Sequence, residues 1–441
     1  MTELMATAIA LFAGLMMTRF FKILKLQLPD VTAFLIAGLL VGPYCLGRIG
    51  FEGLGFTSMA EVDALGAVTN TALGFIAFAI GNEFRLSQLK HTGKQAVIIG
   101  IFQALTAAVL VDAVLIALHF VLGPEVLPLS AAITLGAIAS ATAPAATLMV
   151  VRQYKAKGPV TDVLLPVVAL DDAVGLVIFA VSFGIAQSMK NGTTHVAALI
   201  LEPLMEVVLS LVFGGLVGLG LTWLERFFHS HRNRNALIVG SVILTVAVSQ
   251  LKIPIGSFTF GFSSLLVCMM LGTIFCNFCP LSEDLMLQAD RWSGPAITLF
   301  FVLSGAALEF SVFSDVSVIL IGLVYILTRS LGKYLGAGLS SALAKSPEPV
   351  RKWLGITLLP QAGVALGMCA TAYRVLGGPE GTLIRNIVLF SVLIYELIGP
   401  SLTKMALTKA GDIQAKSPEM LSRRQRRLSE ITKPVPPAFD K

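Results

Sequence analysis

The chain has 441 residues, 56% of them hydrophobic and only 13% charged, and its mean hydropathy of +0.84 lies far from soluble-domain usage. That composition excludes a soluble enzyme or binding module and implies an integral membrane protein. The net charge of +6 comes mainly from the C-terminal stretch SRRQRRLSEITK, which reads as a flank near anionic lipid and not as a nucleic-acid surface, since no folded soluble domain carries it.

A helix needs about 20 mostly apolar residues to cross a bilayer, and about thirteen runs qualify. They lie at roughly 4–24, 31–48, 64–82, 96–122, 127–151, 160–187, 197–223, 236–251, 259–278, 295–312, 316–344, 354–376 and 384–407. The runs are too long and unbroken for a β-barrel, so the expected fold is an all-α polytopic bundle. The N-terminus MTELMATAIALF has Glu3 and no basic flank, so the first segment is expected to remain as a helix rather than act as a cleaved signal. Loops after odd-numbered segments hold most of the Lys and Arg, among them Arg19, Lys22, Lys25, Arg85, Lys94, Arg152, Lys155, Lys157, Arg226 and Arg232. Loops after even-numbered segments hold few, such as Arg48 and Lys190. This asymmetry places the N-terminus outside and the C-terminus in the cytoplasm.

In chain order, the third segment closes on FIAFAIGNEF, and the fifth carries Pro144 among small residues in ASATAPAATLMV. The sixth contains Asp171 and Asp172 in LLPVVALDDAVGLVIFA. Cys276 and Cys279 at the end of the ninth have no second pair and no nearby His, so a packing role is expected for them; His229 and His231 read as solvated groups of a basic loop. The tenth segment ends FFVLSGAALEF, an echo of the third, with Glu309 matching Glu83. The eleventh holds Arg329 and Lys333 in ILTRSLGKYLG, the twelfth Pro360 in LLPQAGVALG, and the thirteenth Glu396. Pro144 and Pro360 occupy the fifth place in each of two sets of six segments, which flank a linker segment and run in opposite senses. Proline removes a backbone donor and clashes with the preceding turn, so two matching interrupted helices indicate inverted repeats that meet near the midplane.

Asp172 and Lys333 fall near the same depth, where charges are costly and by default mark an ion or proton pathway. Neighbouring residues point about 100° apart on a helix, so one Asp can meet Lys333 while the other faces a hydrated cavity. A carboxylate there holds a proton or a small cation but hardly both, and that competition couples the two flows. Lys333 is a further candidate to release a proton as the cation arrives. Arg329 sits one turn before Lys333, and two such cations repel unless a carboxylate intervenes; Glu396 is the expected partner in a structural ion pair. Gln361 is the expected partner for freed backbone at the crossing. Asp112, Glu202 and Glu206 read as pairs or interfacial groups.

ALDDAVG preceded by YKAKG, together with GKYLG, PQAGVALG and LPDVTAFLIAGLLVGP, resembles the cation:proton antiporter superfamily, specifically its bacterial sodium/proton antiporters with a paired-Asp motif, over nearly all of residues 1–407. The resemblance implies a thirteen-helix fold divided into panel helices that dimerise (1–94 and 235–312), core helices (95–190 and 313–408), a linker helix and basic loop (191–234) and a basic tail (409–441). It implies that Asp172 binds the cation, sodium and also lithium, that Asp171 pairs with Lys333, and that exchange for protons is electrogenic and elevator-like. ATAPAAT lacks the acidic residue some relatives carry at the crossing, so any further ligand is Ser140, Thr142, Thr147, a backbone carbonyl or water. Oxygen ligation suits sodium or lithium and leaves potassium open. The rival readings are a potassium/proton antiporter or potassium efflux protein of the same superfamily, and a sodium-coupled organic anion symporter. The first would be expected to append a nucleotide-binding domain, for which the stretch after the last segment is short; the second would need a further polar cluster. No enzyme, cofactor or nucleic-acid partner is expected. A homodimer in the bacterial inner membrane, with inorganic cations, protons and lipid as its partners, is.

Overall fold

The computed structural model describes residues 2–24, 30–49, 53–82, 84–143, 147, 150–151, 154–190, 196–251, 253–255, 258–308 and 316–413. The helices are α1 (Glu3–Ile23), α2 (Asp30–Val41), α3 (Met59–Asp63), α4 (Gly66–Asn82), α5 (Leu86–Leu122), α6 (Leu129–Ala139), α7 (Pro159–Lys190), α8 (Val196–Glu225), α9 (His231–Ser249), α10 (Ser264–Phe278), α11 (Ser282–Ala306), α12 (Val316–Leu343), α13 (Glu348–Thr357), α14 (Gly363–Leu376) and α15 (Gly378–Lys409). A short antiparallel hairpin pairs Ile253–Ile255 with Phe258–Phe260 ahead of α10. Each predicted segment overlaps a helix. Among the described residues seven stretches, including those on α1, α7, α12 and α15, are long and apolar enough to cross a membrane, and α6, α10 and α14 are shorter apolar helices. The fold is therefore a helical polytopic membrane bundle.

The fifth and twelfth predicted segments are not continuous. α6 stops at Ala139, and Ala141–Ala143 are non-helical; Pro144 itself lies outside the described residues, as do Glu83 and Glu309. On the opposite strand of the crossing, α13 ends at Thr357 and α14 begins at Gly363, with Leu359–Ala362 non-helical around Pro360. Proline cannot donate and disfavours helix in the residue before it, so the break falls where that residue sits. The 295 boundary is corrected: α11 starts at Ser282 because SEDLMLQADRW, though polar overall, buries Leu285, Met286 and Ala289 on one face.

By packing, α5, α6, α7, α12, α13, α14 and α15 contact one another, and α1, α2, α4, α9, α10 and α11 contact one another, with α8 against α10 and α7. The most extensive packing is that of α5 against α12. The stretch GKYLG explains it: Gly332 and Gly336, one turn apart, abut Ala107 and Gln103, where an added methyl would lie 2.8 Å and 2.9 Å from their Cα atoms. Small residues at that spacing let two backbones approach within the bilayer, and the residue between them, Lys333, is carried to α5. The start of α7 is capped from the far end of the chain: Thr161 N and Oγ1 both donate to Asp412 Oδ2, at 2.7 Å and 2.8 Å, which satisfies an orphan donor of the first turn and places negative charge at the positive end of the helix.

Candidate functional site

Lys333 of α12 is completely buried, and so is Asp171 of α7; Nζ lies 2.9 Å from Oδ2. Gln103 of α5, also fully buried, bridges the two, since its Oε1 accepts from Lys333 at 2.9 Å while its Nε2 donates to Asp171 Oδ1. The third donor of Lys333 goes to the Ser140 carbonyl at the end of α6. The ammonium therefore has three acceptors and both oxygens of Asp171 are engaged, which is the condition under which a buried pair survives desolvation. Asp172, 3% exposed, follows on the next face of α7. Gly175, one turn on, keeps that helix against the crossing, for a methyl there would stand 3.1 Å from Ser140 Oγ.

Arg329, one turn from Lys333 and also fully buried, is spent differently. Its Nε donates to Ala139 O at 3.1 Å, one terminal nitrogen to Leu359 O at 2.8 Å and the other to Ala141 O at 2.6 Å, with the guanidinium 4.6 Å above the Tyr395 ring. The planar fork thus closes carbonyls freed by both helix breaks. The expected ion pair with Glu396 is overturned: Glu396 lies against Thr32, 3.5 Å from its hydroxyl, because the carbonyls already use the guanidinium and Glu396 faces α2. The repulsion between Arg329 and Lys333 is met by two separate acceptor sets.

Other crossing residues are held by backbone. Ser140 Oγ donates to Ala137 O, Thr142 Oγ1 to Leu358 O and Thr147 Oγ1 to Thr357 O, while Ala143 N donates to Pro360 O at 2.8 Å, tying the two non-helical strands together. Gln361 Nε2 donates to Ile138 O at 3.0 Å and to the Tyr325 hydroxyl, and its Oε1 accepts from Ser391. Each hydroxyl oxygen keeps lone pairs that could face a cation.

A cavity of about 520 Å³ opens between the ends of α4, α11, α14 and α15, with Asp63, Arg374 and Arg385 on its wall. Further along α4 and α14 a much smaller gap reaches Leu176, one turn beyond Asp172 on α7. Cys276 and Cys279 are buried thiols, and Cys276 Sγ donates to Thr273 O at 3.2 Å. His231 pairs with Asp284 at 3.3 Å, and Asp112 Oδ1 is buried beside Gly136 without a hydrogen-bond partner among the described residues. The side chain of Glu202 lies outside the described residues. Gln103 is the residue that the sequence reading missed; its signal was a lone strongly polar side chain in the middle of IFQALTAAVL.

The family model described as "Sodium/hydrogen exchanger, transmembrane" matches residues 7–409. Among solved structures, the sodium proton antiporter MjNhaP1 from Methanocaldococcus jannaschii at pH 8 superposes with a TM-score of 0.73 at 19% identity, covering 93% of this chain and 99% of that one. An electron-microscopy structure of the same antiporter gives a TM-score of 0.58 at 17% identity, covering 97% and 98%. Comparison with curated proteins gives no match.

Proposed function

The chain belongs to the transmembrane sodium/hydrogen exchanger family, and from that premise we propose that it exchanges a monovalent cation, sodium and also lithium, for protons, with Asp172 as the shared binding group. The observation that carries this reading is the buried Lys333–Asp171 pair, 2.9 Å long and bridged by Gln103, with a second carboxylate adjacent on α7. Asp171 already has both oxygens committed. The ion-binding role is assigned to its neighbour on α7, Asp172, whose buried carboxylate lies one residue from the pair.

In the cycle that follows, a proton on Asp172 leaves as a cation enters, and hydroxyls of Ser140, Thr142 and Thr147 or carbonyls of the crossing complete the oxygen shell. A cation beside Asp172 also competes with Lys333 for the negative charge of the pair, so Lys333 is a second group able to release a proton; more protons than cations then move, and exchange is electrogenic. The helices that contact α5 and α12 form the moving core, and α1–α4 with α9–α11 form the panel that dimerises, the cavity between α4 and α14 opening and closing as the core shifts. The protein belongs in the bacterial inner membrane, with its N-terminus outside and its C-terminal end cytoplasmic.

The test is proton flux in inside-out vesicles carrying a pre-formed pH gradient, with sodium, lithium and potassium added in turn, for the wild type and Asp172→Asn. Dissipation by sodium or lithium that vanishes in the variant supports the assignment. A response to potassium alone moves the protein to potassium/proton exchange, and no response to any cation in folded protein returns the sodium-coupled organic anion symporter to the front.

A further inference from the structure

The carboxyl of Glu396 has no part in the site described above, yet it is 1% exposed in the middle of α15. Among the described residues its one hydrogen-bond partner is the Thr32 hydroxyl of α2, 3.5 Å from Oε2, and Oε1 is buried without any. The preceding residue, Tyr395, bonds to Ser330 and to Ile326 O beneath Arg329, and Gly399, one turn on, backs onto Pro360. One face of α15 is thereby fixed to α12 and to the crossing, while Glu396, about 100° round the helix, faces α2. That helix packs chiefly on α1 and α11, so the Thr32–Glu396 contact joins the two sets of helices.

Among the described residues, no cation pairs with the carboxyl. On α12, Arg329 is bound to carbonyls, Tyr325 to Gln361 and Lys333 to Asp171. On α13, Arg351 donates to Ser346 O, Lys352 lies over Trp353 and Glu348 is exposed; on α14, Arg374 donates to Asn70, and Tyr373 lies under Arg385. α2 offers only the exposed Asp30, and α6 has no titratable side chain. On α15 itself, Glu380 pairs with Lys190, Lys404 lies over Tyr154 and Lys409 over Trp353. An ionised carboxylate with one long hydrogen bond in such an interface is costly, whereas a neutral carboxyl can share a hydrogen with Thr32 in either direction.

We propose that Glu396 is a second proton-binding carboxyl of the transport cycle, one that keeps its proton while α15 lies against Thr32 of α2 and gives it up when the two helix sets part. The O–H bond breaks to water admitted between the helices, leaving the carboxylate, and re-forms before they close. The inference rests on the exchange reading above. Alkaline conditions favour the parted arrangement, and Glu396 makes exchange steeply dependent on pH without binding the cation.

The test compares the pH profile of sodium-driven proton flux in proteoliposomes for the wild type, Glu396→Gln and Glu396→Asp. A permanently neutral Gln cannot give up a proton, so the rise of flux with pH becomes shallower and its midpoint moves, and Asp returns both toward the wild type. A uniform fall in rate with an unmoved midpoint in both variants overturns the proposal. If the wild type shows no cation-driven flux, the exchange reading fails, and infrared titration of the purified protein decides separately about Glu396. A protonated-carboxyl band that disappears as pH rises and is missing from Glu396→Gln supports a proton site there; the same band undiminished in Glu396→Gln refutes it.

Discussion

Arg329 and Lys333 stand one turn apart on α12, both completely buried, and the molecule uses them in opposite ways. Arg329 gives its donors to the backbone of two broken helices. Those carbonyls do not titrate, so these three hydrogen bonds do not depend on the protonation of a side-chain acceptor. Lys333 gives its donors to an ionisable side chain, an amide and one carbonyl, and the charge of its main partner can be challenged by a proton or a cation. A cation held by backbone beside one held by an ionisable side chain keeps the broken helices tied together, and under the proposed function leaves the exchangeable group one turn away.

The sharpest way to break that contrast is Arg329→Met. It leaves three buried carbonyls without a donor, and the expected cost, on the order of 5 kcal/mol at about 1–3 kcal/mol per orphaned group, should appear as loss of folded protein in detergent at every pH. Recovery of a normal melting temperature would show that water substitutes for the guanidinium. Lys333→Met should cost less, about 3–5 kcal/mol from the unpaired Asp171. Combined with Asp171→Asn it should be markedly non-additive, with a coupling of about 0.5–3 kcal/mol in thermal or denaturant unfolding; additive losses would mean that the pair does not act as a unit.

Gln103→Leu sharpens the comparison from the other side. It keeps the ion pair and removes the bridge, so a loss of about 1–3 kcal/mol is expected, together with a change in the pH profile of exchange that Arg329 variants with residual folding should lack. The smallest effect belongs to Asp63, outside the spans. Burial pushes its carboxyl above the usual 3.8, and the nearby Arg385 only partly opposes this. The folded state therefore holds that proton more tightly than the unfolded chain, so stability is favoured below the ordinary value and falls as pH rises through the raised one. Asp63→Asn should remove that fall from a plot of melting temperature against acid pH, and an unchanged slope would dismiss it.

The sequence by itself determined the membrane class, the apolar segments, the two matched prolines and the paired carboxylates inside an apolar segment, because hydropathy and proline chemistry are local properties read over one or two helical turns. It also showed that one Asp can meet Lys333 while the other cannot. Tertiary structure alone decided the partners. Lys333 meets Asp171 across 162 positions and Gln103 across 230, and these contacts depend on how far α5 and α12 approach at Gly332 and Gly336 and on how each helix is rotated. The same rotations turned Glu396 from Arg329, which sequence spacing suggested, to Thr32, 364 positions away, and brought Asp412 to the start of α7. Sequence spacing sets which face of its own helix a side chain occupies, and only packing sets what that face meets.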